Sequence, residues 1–410
     1  MVIAGEASGD MLAAELVRAL REEYAEAKAI PTTDYQPLHT GLEPRFFGAG
    51  GPRMAAAGVD LAFDMTEHSV IGLFEVLQHY FKFRRLFRHL YQLALTRQPD
   101  AIICVDFSGF NRRFAHAVKQ YTRTHADWFH DWHPRLIQYV SPQVWASREG
   151  RAYQMARDYD LVLSIFPFEK DWYAKRVPQL PVEFVGHPIA DRYGERGRAE
   201  GERRADKASP LVLLLPGSRP SELHRHLPVI NGALDLLRAK VPGLRARMVL
   251  PNEDLARQAR AFRPPASLEV RIGGLPDSLA EADLAIASTG TVTTECAYFG
   301  VPTVALYKTS WGTWQIARRI VKVKYGAMPN LLADEEIFPE FIQDAATPDN
   351  LARAAAELLR DDSRRAKVKA KLAEVVASLG EPGATSRAAK AIMRLMSDTP
   401  DRLVRSGQGQ

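Results

Sequence analysis

Cysteine is scarce in this sequence: Cys104 and Cys296 are the only two in 410 residues, far apart and each in an apolar context. That scarcity excludes a disulfide framework and makes a reducing cytoplasm the expected setting. Long hydrophobic runs are missing too. Nothing approaches the ~18 consecutive apolar residues that a membrane span needs, and no signal peptide is expected. Nor does one sign of charge dominate, because 54 Lys and Arg face 49 Asp and Glu for a net charge of +5. The totals therefore give no sign of nucleic-acid binding, and any basic function must come from local clustering. No internal repeat is visible.

What is present is an alternation of apolar runs with helical periodicity. Runs at Ala101–Val105, Leu136–Val140, Leu161–Ile165, Leu211–Leu215, Arg247–Leu250, Leu284–Ala287 and Thr303–Leu306 read as buried parallel strands. Strands of this kind separated by helices predict an α/β fold of βαβ units with helices on both sheet faces. A chain this long exceeds one hydrophobic core, so two similar domains are expected. Their limits read as 1–190 and 211–345, joined by a charged, glycine-rich linker at 191–210 and followed by helices and a frayed tail at 346–410. Only Met1, Val2 and Ile3 remain for the first strand. Either the natural start lies upstream, or a sheet edge is stunted there.

The opening loop, Gly5-Glu6-Ala7-Ser8-Gly9-Asp10, stands where a phosphate loop would. Its two carboxylates would repel a pyrophosphate, so an anion belongs elsewhere. A better anion site is the turn Ser288-Thr289-Gly290-Thr291, at the start of a helix predicted from Thr291 to Phe299 and free of nearby acid. Glu295, one turn on, has the spacing to accept from ribose hydroxyls. A second turn, Pro216-Gly217-Ser218-Arg219, ends another strand and offers an arginine fork to the same diphosphate. The stretch His125 to Pro134 carries three His and two Asp, but no ligand pair in a diagnostic spacing, so no metal is expected.

Eight motifs occur in order: "AGEASGD", "GAGGPRM", "VDFSGFN", "YVSPQVWASR", "PFEKDWY", "FVGHPIAD", "LLPGSRPSE" and "MPNLLA". Together, from Ala4 to about Gln343, they resemble the lipid A disaccharide synthase family. The resemblance implies two facing Rossmann-like domains of the GT-B type, with the nucleotide in the C-terminal one. It also implies transfer of 2,3-diacylglucosamine from its UDP derivative to 2,3-diacylglucosamine 1-phosphate, giving a β-1,6-linked disaccharide and UDP with inversion and no cofactor. On the matched positions, Asp106 is expected as the base, with Glu6 and Asp10 as further acids. Ser218, Arg219, Ser288, Gly290, Thr291, Glu295 and Asn330 are expected on the donor, and Arg148, Arg151 and the basic residues of the helix expected in Val70 to Leu90 are candidates for the acceptor phosphate. Gly109 departs from the family pattern, where a second aspartate is usual. Members are also known to dimerise by exchanging C-terminal segments. Another UDP-sugar transferase or epimerase, or a non-catalytic membrane-associated relative, stays open as an alternative.

A diacylated substrate requires contact with a bilayer. The segment Val70 to Leu90 presents an apolar stripe at helical spacing, including Leu73, Phe74, Leu77 and Phe81, beside Arg84, Arg85 and Arg88. Such a helix suits an anionic membrane surface, and a helix packed on its own sheet is the alternative. A peripheral protein of the inner face of the cytoplasmic membrane is expected.

Overall fold

The computed structural model describes residues 1–29, 43–66, 75–125, 131–194, 209–265 and 267–397, without the side chains of 75–82. The chain forms two compact units, one of 1–144, 149–188 and 382–410, the other of 145–148 and 189–381.

In the first unit β1 (Val2–Ala4) leads into α1 (Ala7–Ala29), then β2 (Phe47–Gly50), the short α2 (Pro52–Ala56), β3 (Asp60–Asp64) and α3 (Glu75–Arg97). There follow β4 (Ala101–Val105), α4 (Ser108–Thr124), β5 (Arg135–Tyr139), α5 (Arg151–Asp158), β6 (Leu161–Ser164), α6 (Pro167–Ala174) and β7 (Val182–Phe184). The seven strands lie in the order β3-β2-β1-β4-β5-β6-β7 and every pair is parallel. The short β1 is therefore not an edge. It is the third strand of seven, paired on both sides and fully buried, which corrects the expectation of a stunted edge. Both faces are covered, so β4 and β6 read as apolar runs rather than alternating ones, and β5 buries Leu136, Ile137 and Tyr139 together with one amide, Gln138.

The second unit opens with α7 (Ile189–Tyr193) and continues β8 (Leu211–Leu215), α8 (Pro220–Lys240), β9 (Arg245–Leu250), α9 (Glu253–Ala261), β10 (Glu269–Ile272), α10 (Leu275–Glu281) and β11 (Leu284–Ser288). Next come α11 (Thr291–Tyr298), β12 (Thr303–Tyr307), α12 (Trp311–Ile320), α13 (Met328–Ala333), β13 (Glu340–Ile342), α14 (Pro348–Arg360) and α15 (Asp362–Ser378). Its six strands run β10-β9-β8-β11-β12-β13, again all parallel. Most of the expected linker, residues 195–208, lies outside the described residues.

The stretch 346–410 was expected as one block, and the fold divides it. Helices α14 and α15 belong to the second unit, whereas α16 (Ala384–Ser397) returns to the first and packs on α1. Its buried face is small, Ala384, Ala388, Ala389 and Ala391 with Ile392, which lets the two helices approach closely. Polar ties finish the contact: the Ser386 hydroxyl donates to Glu23 at 2.8 Å and Arg394 pairs with Glu183 at 2.7 Å.

Helix α3 resolves part of the membrane question. Phe83, Phe87, Tyr91 and Leu93 pack against the first core, with Phe87 edge-on to Phe110 and Phe114 at 5.5 and 5.7 Å between centroids. Leu90 and Ala94 are wholly buried. From Phe83 onward the apolar stripe thus serves the sheet, while Arg84, Arg85 and Arg88 are exposed. Leu73 and Phe74 lie outside the described residues, as do the side chains of Leu77 and Phe81. Among the described residues no helix is long and apolar enough to cross a membrane.

Candidate active site

In each sheet the strand order reverses once, between β1 and β4 and between β8 and β11. Open parallel sheets bind ligands just beyond the carboxyl ends of the strands at such a point. All four stretches singled out in the sequence lie there: Gly5–Asp10, which runs from the end of β1 into the first turn of α1, Asp106 after β4, Pro216–Arg219 after β8, and Ser288–Thr291, from the last residue of β11 into α11.

At the first reversal the backbone is strained. Asp106 and Phe107 have φ of +48° and +41°, and Val140, beyond β5, has +65°. Left-handed backbone at a non-glycine residue costs of order 1–3 kcal/mol and persists only where surrounding bonds enforce it. Two buried amides do so. The Asn111 side-chain NH₂ donates to the carbonyls of Asp106 at 2.9 Å and Val105 at 3.2 Å, and the Gln138 NH₂ to those of Val140 at 3.1 Å and Asp106 at 3.3 Å. The Asp106 amide in turn donates to the Tyr139 carbonyl at 2.9 Å, extending the β4–β5 ladder by one bond. Asp106 is partly exposed beside the acidic loop: a Cβ placed on Gly9 would lie 3.7 Å from the Asp106 Cβ. Gly5 is obligatory here, since a Cβ there would reach 2.3 Å from the Phe107 ring.

The two loop acids part company. Asp10 is 2% exposed, and its carboxylate accepts the amides of Gly51 at 2.8 Å, Met54 at 3.0 Å and Arg53 at 3.0 Å. It seals the N-terminus of α2, where unpaired N–H groups and the helix dipole favour an anion. Gly51 has no room for a side chain, because a Cβ would sit 2.8 Å from Asp10 Oδ2. This contact explains the "GAGGPRM" motif, and it corrects the expectation of Asp10 as a reacting acid: the carboxylate is committed to backbone. Glu6 stays partly exposed at the loop's mouth. Gly109, in the first turn of α4, is exposed with nothing within 4 Å of an added Cβ.

At the second reversal Gly217 (φ +126°) lets the Glu222 carboxylate close on the loop, where an added Cβ would collide with it at 2.3 Å. Glu222 accepts the Ser218 amide at 2.9 Å and pairs with Arg219 at 3.4 Å; the arginine side chain is 52% exposed and the glutamate 14%. Beneath the loop His226 is wholly buried, its Nδ1 2.6 Å from the Pro216 carbonyl and its Nε2 accepting the Lys308 amide at 2.9 Å. Those partners assign the tautomer: the proton is on Nδ1. Burial lowers the His226 pKa, opposed by the Pro216 carbonyl and Glu222. The ring ties the β8 turn to the end of β12.

Ser288 is buried at the end of β11, whereas Gly290 and Thr291 are exposed, Gly290 with φ +132° and open space around it. Glu295 lies one turn below Thr291 and accepts the Tyr193 hydroxyl at 2.7 Å. Burial raises the pKa of Glu295, opposed by the Tyr193 and Arg192 contacts, and burial raises that of Tyr193 as well.

Asn330 is fully buried, and all four of its hydrogen-bonding positions are filled: its NH₂ donates to Phe338 O and Glu340 Oε1, each at 2.7 Å, and its oxygen accepts from Ile337 at 2.9 Å and Phe338 at 2.7 Å. No capacity is left for a nucleotide, which corrects that expectation. Glu340 also accepts the amides of Gly326 and Ala327 at 2.7 and 3.0 Å. The "MPNLLA" motif thus holds the 326–327 turn beside Thr289, whose methyl would be 3.5 Å from a Cβ on Gly326.

Asn111, Gln138, Glu222, His226, Tyr193 and Glu340 were not anticipated as parts of these sites. Two had a visible signal, Asn111 as the last residue of "VDFSGFN" and Glu222 as a first-turn acid three residues past Arg219. Both cysteines are buried, with thiol pKa values pushed up to about 12 by desolvation, which leaves them unsuited to nucleophilic work. Among the described residues no three His, Cys, Asp or Glu side chains gather as metal ligands; residues 126–130 lie outside them.

Solved structures with a similar fold define the fold class. The UDP-GlcNAc 2-epimerase of Neisseria meningitidis, solved bound to UDP-GlcNAc, has a TM-score of 0.58 at 10% identity over 93% of this chain and 96% of that one. The calicheamicin glycosyltransferase CalG4 has 0.54 at 13% identity over 97% and 96%. The fold is that of the GT-B glycosyltransferases and their epimerase relatives.

Sequence narrows the class. The family model described as "Lipid-A-disaccharide synthetase" matches residues 1–394. Lipid-A-disaccharide synthases of Geobacter metallireducens and Trichlorobacter lovleyi are 34% and 35% identical, each over 97% of this chain and 97% and 98% of their own. This chain belongs to the lipid-A-disaccharide synthetase family, a family of glycosyltransferases.

Proposed function

We propose that the chain joins two acylated glucosamine units, taking 2,3-diacylglucosamine from its UDP derivative and placing it on the 6-hydroxyl of 2,3-diacylglucosamine 1-phosphate. The observation that carries this reading is the family match, unbroken through both units. The acceptor oxygen attacks the anomeric carbon, the bond from that carbon to UDP breaks with inversion, and the hydroxyl proton passes to a base. Asp106 is that base, at a strained strand end whose backbone carbonyl accepts the Asn111 and Gln138 side chains. Glu6 orients the acceptor sugar, and Asp10 acts only by shaping the loop.

The leaving diphosphate is read onto the second unit, against the Ser218 amide, the Arg219 fork and the Gly290–Thr291 helix start. Glu295, oriented by Tyr193, takes the ribose; Asn330 contributes by holding the 326–327 turn. UDP in the Neisseria meningitidis structure's ligand is consistent with a uridine nucleotide here. The exposed arginines of α3 are read as part of a contact with the inner face of the cytoplasmic membrane. A dimer by C-terminal exchange would set α16 of one copy on α1 of another, and light scattering on the purified chain tests it.

The deciding assay supplies UDP-diacylglucosamine and the 1-phosphate acceptor in detergent and follows products by mass spectrometry. A tetraacyl disaccharide with equimolar UDP is expected. Conversion of the UDP-sugar at the same rate without acceptor would sink the reading in favour of an epimerase or hydrolase.

A further inference from the structure

Five large hydrophobic side chains are exposed among the described residues, and three of them, Trp311 (76%), Ile316 (52%) and Val321 (48%), fall on α12 and the residue after it. No residue of this helix is buried. Hydrogen bonds hold it near its ends. The Ser310 hydroxyl accepts the Thr313 amide at 3.2 Å, Val321 bridges to Ser147, and the Lys322 amide donates to Ala146 O at 2.9 Å. A helix this short is marginal in water and normally owes its stability to a packed face. This one buries none of its residues, and only Thr313, Trp314, Gln315, Ala317 and Ile320 are half-buried.

Charge identifies what covers it. From Cys296 to Ala333 the chain has no Asp or Glu, yet it carries Lys308, Arg318, Arg319, Lys322 and Lys324. Lys308 is turned inward, its ammonium donating to the carbonyls of Gln343 and Ala346, but Arg318, Arg319, Lys322 and Lys324 are exposed. On the helix itself Trp311, Gly312, Ile316, Arg318 and Arg319 share the exposed side. An exposed indole beside isoleucine and clustered cations has the chemistry of the headgroup boundary, where an indole ring sits readily and cations meet anionic lipid. Helix α12 also follows β12 at the carboxyl edge of the sheet, the edge read above as the donor's.

We propose that α12 is an interfacial helix through which the second unit rests on an anionic bilayer. The placement near acyl chains rests on the proposed function; the lipid contact itself does not. It is also a different surface from α3, whose aromatic residues from Phe83 onward face their own core.

The test is flotation of the full chain with phosphatidylethanolamine–phosphatidylglycerol vesicles and with phosphatidylcholine vesicles, at low and high salt. Binding to the anionic vesicles is expected, weakened by salt and reduced about tenfold in Trp311→Ser/Ile316→Ser and in Arg318→Gln/Arg319→Gln. Unchanged UDP affinity by calorimetry shows that these variants are folded. Brominated lipid should quench wild-type fluorescence more than that of Trp311→Phe, a comparison that disturbs the fold little. Vesicle binding equal to wild type in both double variants overturns the proposal, as does equal quenching. So does a dimer in light scattering that Trp311→Ser/Ile316→Ser dissociates, because a second copy would then be the cover. Failure of the wild-type chain to bind the anionic vesicles, with transfer in detergent intact, rejects α12 alone, whereas absence of transfer in detergent rejects the proposed function.

Discussion

The carboxylate of Glu222 occupies the loop proposed for the donor diphosphate, accepting the Ser218 amide at 2.9 Å and pairing with Arg219 at 3.4 Å. A diphosphate approaching the same donors must displace it. Glu222→Gln keeps the shape and removes the charge, so UDP should bind about three- to tenfold tighter by calorimetry, a modest gain because Arg219 is half exposed. Weaker binding would mean that the carboxylate is needed to shape the loop.

Asp106 is predicted to separate stability from chemistry. In Asp106→Asn the turnover number should fall by about 10²- to 10⁴-fold while UDP affinity holds. Asp106→Gly removes the left-handed penalty at φ +48°, and should match or exceed wild-type stability while being equally inactive. Retained turnover in Asp106→Asn would reject the base assignment.

Asp10 should behave in the opposite way. Asp10→Ala leaves three amides of a buried helix start without their acceptor, a loss of about 2–4 kcal/mol in chemical denaturation. Turnover per folded molecule should fall far less than in Asp106→Asn. A fully stable but inactive Asp10→Ala protein would return Asp10 to the chemistry.

His226 sets a pH dependence. Its folded pKa lies below the ordinary 6.5, so between those two values the unfolded chain holds the extra proton and stability falls as pH drops. Protonation would also abolish the acceptor for the Lys308 amide. Denaturant midpoints measured from pH 7.5 to 5 should decline in the wild type, and His226→Leu, less stable at neutral pH, should decline less steeply. Equal slopes would refute this contribution.

Gly109 has space for a side chain and sits in the first turn of α4, where a carboxylate favours the helix dipole. Gly109→Asp should raise stability by about 0.5–1.5 kcal/mol through the dipole and reduced unfolded-state freedom. Thermal unfolding checks it; a lower midpoint would show that the space is not open.

The strands were legible because both faces of these sheets are covered, so most central strands are largely apolar and readable without their neighbours. Those at 211–215 and 101–105 match residue for residue. Short strands were not: β2, "FGAG", and β7, "VEF", have too little apolar length to stand out, and they form because a preceding strand offers an edge to pair with. The aromatic stripe of α3 was legible as a stripe, but the side it would face was not.

By itself the sequence determined the alternation of strand and helix and the family to which the chain belongs. It also placed the glycine and hydroxyl turns at strand ends, because those features depend on residues close together in the chain. Only the tertiary structure decided which polar groups remain for chemistry. Asp10 meets Gly51, and His226 meets Lys308, across tens of residues, and a carboxylate or amide already saturated by such partners cannot serve a substrate. The return of α16 to the first unit and the uncovered face of α12 belong to the same category, since burial is a property of neighbours that the sequence does not place in order.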